Sequence, residues 1–134
     1  MATLKHCLII DDDPDDREIF MMCVNKISDT IDCVTAKNGV DALELLENKT
    51  DLTPDFIFLD VNMPKMNGIE CLKHLRKIDR LRNSKIFMYS TTSEGGIIKQ
   101  SKELGAQDFI VKPVKISELR EILSKIFGVV SEIK

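Results

Sequence analysis

Phe56-Ile57-Phe58-Leu59-Asp60 is the stretch on which the reading of this chain turns: four consecutive apolar residues of strand length, ending abruptly in a carboxylate. A strand with one wet face alternates apolar and polar residues, whereas an unbroken apolar run of this length fits a strand covered on both faces, as in a parallel sheet between helices. Cys7-Leu8-Ile9-Ile10 and Ile86-Phe87-Met88-Tyr89 have the same character, and Ile31 to Ala36 and Phe109 to Val111 are two further runs of strand length.

Helical periodicity fills the intervals. Phe20, Cys23, Val24 and Ile27 stand at i, i+3, i+4, i+7, and further stripes are Val40, Leu43, Leu46; Ile69, Leu72, Leu75; and Leu119, Ile122, Leu123, Ile126. Ile97 to Leu104 carries a weaker helical pattern. Asp13 is placed to cap the first helix, Pro14 suits its first turn, and Asp15 and Asp16 favour its positive end. Strict alternation of strand and helix predicts an α/β fold of βαβ crossovers, an open doubly wound sheet of five parallel strands in the flavodoxin-like order 2-1-3-4-5. Function in such sheets gathers outside the carboxyl ends of the strands, near the point where strand order reverses.

The bulk properties narrow the classes. A chain of 134 residues has room for one substantial core, so a single domain is expected over 1–134, with its core at about 5–127. A hydrophobic content of 43% with 31% charged residues describes an ordinary globular chain, and a net charge of -3 argues against direct DNA binding. The N-terminus has no signal-like apolar segment and no stretch long enough to span a bilayer, so a cytoplasmic protein without a membrane association is expected. Cys7, Cys23, Cys33 and Cys71 are scattered without metal or disulfide spacing and read as reduced core thiols; His6 and His74 are isolated and receive no role.

The predicted strand ends carry the chemistry. Strand one ends in Asp11, Asp12 and Asp13, strand three in Asp60, strand four in Ser90 and Thr91, and strand five in Lys112 and Pro113, and all converge on one rim. Carboxylates gathered this closely raise a pKa or surround a cation. Mg2+ suits them, because it takes oxygen ligands from one or two carboxylates together with waters and a phosphate-type oxygen. Asp60 is then placed to attack a phosphoryl group, with the Ser90 hydroxyl and the Lys112 ammonium holding the remaining oxygens. For Asp13, Asp15 and Asp16 a capping role outweighs a metal role.

These motifs, in order, resemble the response-regulator receiver family of two-component signalling from about Lys5 to Phe127. Leu8-Ile9-Ile10-Asp11-Asp12 is similar to the family's first strand and acidic pair. Asp60-Val61-Asn62-Met63-Pro64 with Asn67-Gly68 resembles its phosphoacceptor loop, Ile86 to Ser90 its fourth strand and switch hydroxyl, and Gly105 to Pro113 its fifth-strand motif. The resemblance implies a stand-alone receiver that takes a phosphoryl group on Asp60 from a histidine kinase or histidine phosphotransfer protein. Asp12 would be a direct Mg2+ ligand, Asp11 a largely water-mediated one, and Asn62 would offer its backbone carbonyl. Ser90 and Phe109 would be switch residues, Lys112 would bind phosphate, and the bond before Pro113 would be cis.

The resemblance further implies a signalling domain that catalyses only its own phosphorylation and dephosphorylation. Its output would pass through the face of helix four, strand five and helix five to an effector this sequence does not name, through a homodimer, or through onward phosphotransfer. Residues 128–134 are expected to be a short tail with no output domain. Thr91 departs from the small residue usual in the family. Two alternatives use the same architecture. A haloacid-dehalogenase-like phosphatase would pair Asp11 with Asp13 but leaves Asp60 and its loop without a role; an FMN binder would want a hydroxyl- and glycine-rich loop where three aspartates repel one another.

Overall fold

The computed structural model describes residues 5–128. Five strands alternate with five helices: β1 (Lys5–Ile10), α1 (Pro14–Ile27), β2 (Ile31–Ala36), α2 (Gly39–Asn48), β3 (Phe56–Leu59), α3 (Gly68–Arg76), β4 (Lys85–Ser90), α4 (Gly95–Glu103), β5 (Asp108–Val111) and α5 (Ile116–Phe127), with one turn of 3-10 helix at Asp79–Leu81. All strand pairings are parallel and the sheet order is β2-β1-β3-β4-β5, as expected. The tail beyond Gly128 lies outside the described residues. Among the described residues, no helix is long and apolar enough to cross a membrane.

The apolar runs are continuous because the sheet has helices on both sides. Leu8, Ile10, Ile57, Leu59, Ile86 and Met88 point to one face and pack with α2 and α3 through Ala42, Leu46, Leu72 and Leu75. The residues between them, Cys7, Ile9, Phe56, Phe58, Phe87 and Tyr89, point to the other and pack with α1 and α5 through Phe20, Val24, Leu119 and Leu123. β2 and β5 form the edges and carry the mixed patterns expected there.

Local chemistry sets the helix starts. Asp13 Oδ1 accepts from the N–H groups of Asp15 and Asp16, Asn38 Oδ1 from Asp41 N–H, and Asn67 Oδ1 from Glu70 N–H, so α1, α2 and α3 each begin with a side-chain cap. No side chain caps α4 or α5. The α2 stripe differs from the expected one: Ala42 and Leu46 lie deepest, Leu43 and Leu45 flank them, and Val40 is half-buried. Alanine lets the helix backbone approach the sheet, which centres the buried face on Ala42. α4 begins two residues before Ile97 and buries only Ser101 completely, whose hydroxyl donates back to the Ile97 carbonyl at 2.7 Å.

Phe58 is the hub of the α1/α5 face. It is fully buried, with ring centroids of Phe20 at 4.8 Å, Phe87 at 5.2 Å in a stacked arrangement, and Phe127 at 6.2 Å edge-on. Phe58→Ala is expected to cost about 3–5 kcal/mol of unfolding free energy. Urea unfolding measures this; a loss below about 1 kcal/mol would show that the neighbouring rings close the space.

Candidate functional site

Hydrogen bonding continues past the ends of the strands and aligns the rim. Asp11 N–H donates to the Ala36 carbonyl at 3.2 Å, Asp60 N–H to Ile10 at 3.0 Å and Lys112 N–H to Ser90 at 2.8 Å. Each functional residue is therefore the next rung of a ladder, and its backbone is as fixed as the sheet. Asp11, Asp12 and Asp60 offer carboxylate oxygens that all lie within 4.8 Å of one another. Asp11 is fully buried, Asp60 is 6% exposed, and Asp12 faces solvent.

One cation stands among them. The Lys112 ammonium is 2.7 Å from Asp11 Oδ2, 2.8 Å from Asp16 Oδ2 and 3.5 Å from Asp60 Oδ2, and its side chain is only 9% exposed. It also lies 5.3 Å from the centroid of the Tyr89 ring. Burial alone would lower the Lys112 pKa, but its contacts with Asp11 and Asp16 and the charge of Asp60 carry it above the ordinary lysine value. Burial pushes the Asp11 carboxyl up to about 6, against the pull of Lys112 and of the Asp13 N–H that donates to it.

Asp11 Oδ2 has no hydrogen-bond donor of acceptable direction despite its short contact with Lys112. A buried carboxylate oxygen in that state, beside two more carboxylates, fits a hard divalent cation, whose ligands are oxygens.

Other residues shape the rim. Gly68 N–H donates to the Val61 carbonyl at 2.7 Å, and a Cβ on Gly68 would overlap the Asp60 carbonyl oxygen and lie 2.8 Å from Val61 Cα. Glycine is needed there because α3 starts against the backbone of Asp60. Val61 N–H donates to Asp60 Oδ1 at 2.8 Å, and Arg17 donates to the Asp11 carbonyl at 2.6 Å, tying α1 to the end of β1. Ser90 is fully buried, and its Oγ accepts only a long 3.5 Å contact from Thr92 N–H.

Asn62 is exposed and lines a cleft of about 450 Å3 between α3 and α4 with Asn67, Glu70, Lys73, Ile97 and Gln100. Phe109 pairs with Met88 across β4 and β5 and is half-buried against the α2/α3 core. Thr91 is exposed.

One expectation needs correction, and one residue does more than expected. Asp16 is the helix-end charge expected, and its carboxylate also holds Lys112. A helical Cβ tilts toward the helix N-terminus, so a residue in the first turn of α1 can reach back over the rim. The bond before Pro113 is trans, since no described peptide bond is cis, in keeping with the ordinary preference of X-Pro bonds. Asp13, by contrast, is the α1 cap as expected, which leaves it occupied and weakens the Asp11/Asp13 phosphatase alternative. Cys7, Cys23 and Cys71 are buried, with the Cys71 thiol pushed up to about 12 by burial, and no disulfide links the described cysteines.

A family model described as the response regulator receiver domain matches residues 7–124. The chemotaxis protein CheY of Thermotoga maritima is 33% identical over 122 residues, covering 91% of this chain and 97% of that protein. A protein-glutamate methylesterase/protein-glutamine glutaminase of Methanospirillum hungatei is 36% identical over 118 residues, but this chain spans only 33% of its length. Among solved structures, the CheX-CheY complex with BeF3 and Mg2+ from Borrelia burgdorferi superposes with a TM-score of 0.78 at 27% identity, covering 92% of this chain and 89% of that one.

Two outcomes follow from the geometry. Gly68→Ala is expected to lower stability by at least about 2 kcal/mol, because the methyl group meets backbone rather than a yielding side chain; thermal unfolding checks it, and an unchanged midpoint would contradict the close approach. The raised Asp11 carboxyl gives a pH dependence. Its folded value, about 6, exceeds the ordinary value of 3.8, so between these pH values the folded state keeps a proton that the unfolded chain has lost. Stability of the metal-free protein should therefore fall from this group as pH rises through that window. Asp11→Asn should flatten that slope in a series of unfolding curves in EDTA; an equal slope in both proteins would refute the assignment.

Proposed function

This chain belongs to the response regulator receiver domain family, and we propose that it is a phosphorylation-operated switch of a two-component phosphorelay, with Asp60 as the acceptor. The observation that carries this reading is the position of Asp60: nearly buried at the end of β3, within 4.8 Å of two further carboxylates and 3.5 Å from a buried ammonium. A carboxylate there is fixed, partly desolvated and flanked by the charges that a phosphoryl group needs.

Asp11, Asp12 and Asp60 would hold Mg2+, with the Asn62 backbone carbonyl as a further ligand; that the Borrelia complex contains Mg2+ supports this choice of ion. Held by these residues, the cation would supply neutralisation of charge between the incoming phosphoryl group and the acceptor. The chain's own residues do the remainder. Asp60 attacks phosphorus as the P–N bond to the donor histidine, on a kinase or phosphotransfer protein, breaks. The product is an aspartyl phosphate, and the released imidazole takes up a proton. Lys112 and the Ser90 hydroxyl then donate to phosphoryl oxygens.

Movement of Ser90, which has only one long contact to give up, opens space for Phe109 to turn inward. The output surface in this reading is the face of α4, β5 and α5, where Val111, Val114 and Ile116 are exposed; there it meets a separate effector protein or a second copy of the chain. The reading places the protein in the cytoplasm as one receiver domain, with catalysis limited to its own phosphorylation and dephosphorylation.

Purified protein incubated with Mg2+ and a small acyl-phosphate donor should gain the mass of one phosphoryl group. The adduct should be absent with EDTA and absent in Asp60→Asn. An adduct that persists in Asp60→Asn and maps to Asp11 would favour the phosphatase-like alternative, and no adduct on wild type under a phosphorylated kinase would sink the proposal.

A further inference from the structure

We infer that Asp16 is a positioning residue that holds Lys112 back from Asp60, so that it sets how readily the phosphorylated state forms; this rests on the reading of Asp60 as acceptor. Three carboxylates compete for one ammonium with three donor protons. The two short contacts are to Asp11 and Asp16, and the contact to Asp60 is the longest. Lys112 Nζ donates to Asp16 Oδ2 across 96 residues of sequence, so the pair is tertiary and not a by-product of helix formation.

A phosphoryl group on Asp60 needs Lys112 closer to it. The backbone cannot deliver this, because Lys112 N–H is bonded to the Ser90 carbonyl as an extension of the β4/β5 ladder. The side chain must swing toward the phosphoryl oxygens, and that movement lengthens its contact with Asp11 or with Asp16. Asp11 is the less yielding of the two: it is fully buried, and its other oxygen is engaged by Asp13 N–H. Asp16 has a side chain 33% exposed and can be hydrated as soon as it is released. Asp16–Lys112 is therefore the contact that opens, and the Asp16 carboxylate acts as a competitor of the phosphoryl oxygens for the same cation.

Asp16→Asn keeps the size of the side chain and one acceptor oxygen but removes the charge. With acetyl phosphate and Mg2+, its rate of adduct formation should rise about two- to fivefold over wild type, the size expected of a partly exposed ion pair, and Asp16→Glu should return it toward wild type. An unchanged or slower rate in Asp16→Asn overturns the inference, as slowing would make Asp16 an aid to Lys112 rather than a competitor. Thermal unfolding of both variants establishes that they are folded. A second readout is independent of phosphorylation: the 15N signal of the Lys112 side-chain ammonium should shift in Asp16→Asn. A wild-type protein that accepts no phosphoryl group defeats the Asp60 reading alone, and the Asp16 contact is then judged on that signal. A signal unmoved by Asp16→Asn overturns it.

Discussion

The rim of this sheet is organised by an imbalance of charge. Asp11, Asp16 and Asp60 meet one buried cation, Lys112, with Asp12 beside them, and Asp11 is fully buried. A single ammonium keeps the cluster compatible with folding but does not offset burial, which pushes the Asp11 carboxyl up to about 6 despite Lys112. Much of the surrounding structure holds that imbalance in place. The ladder rungs at Asp11, Asp60 and Lys112, the Arg17 bond to the Asp11 carbonyl, and the absence of a side chain at Gly68 each prevent the carboxylates from drifting apart. A protein that only needed to be stable would spread these charges; one that must receive a cation and a dianion together gathers them.

The fold was legible because the two periodicities were clean. β1, β3 and β4 are interior strands with both faces covered, so their apolar runs stand out, and the parallel sheet follows from the helical stripes between them. Legibility fell where size and not polarity decides. Ala42 is as apolar as its neighbours but smaller, and the reading favoured the bulky Val40 and Leu43, while the helix turned its alanine inward. α4 was faint for a related reason: with two glycines at its start, no cap and one fully buried residue, its sequence carries little of the signal that burial imposes.

The site was legible in proportion to how directly each residue follows a strand. Asp11, Asp12, Asp60 and Lys112 are fixed by the end of an apolar run, so their convergence needs only the topology. Asp16 is not, because a carboxylate in a first helical turn has a sufficient local explanation in the helix dipole. Recognising its second role requires knowing where α1 sits over the rim, which depends on the packing of Phe20 against Phe58 and of Val24 in the same cluster. The role proposed for Phe109 comes from the family resemblance alone, since no pattern of charge or spacing singles it out.

The same connectivity bears on how a change at the rim reaches the surface. Lys112 is followed by Pro113 and then by Val114, whose side chain is 99% exposed, before α5 starts at Ile116 without a side-chain cap. On the other side, Ser90 leads into Thr91 and the uncapped start of α4. Both residues proposed to contact the phosphoryl group therefore sit at the root of a loop whose far end is weakly anchored, while the opposite ends of β4 and β5 are pinned: Arg76 donates to the carbonyls of Leu81, Ser84 and Gly105. A displacement imposed at Ser90 or Lys112 meets more resistance toward the pinned end than toward the loops. Under the proposed function, this mechanical asymmetry, and not the distance from the site, is what directs the response toward the α4, β5 and α5 face.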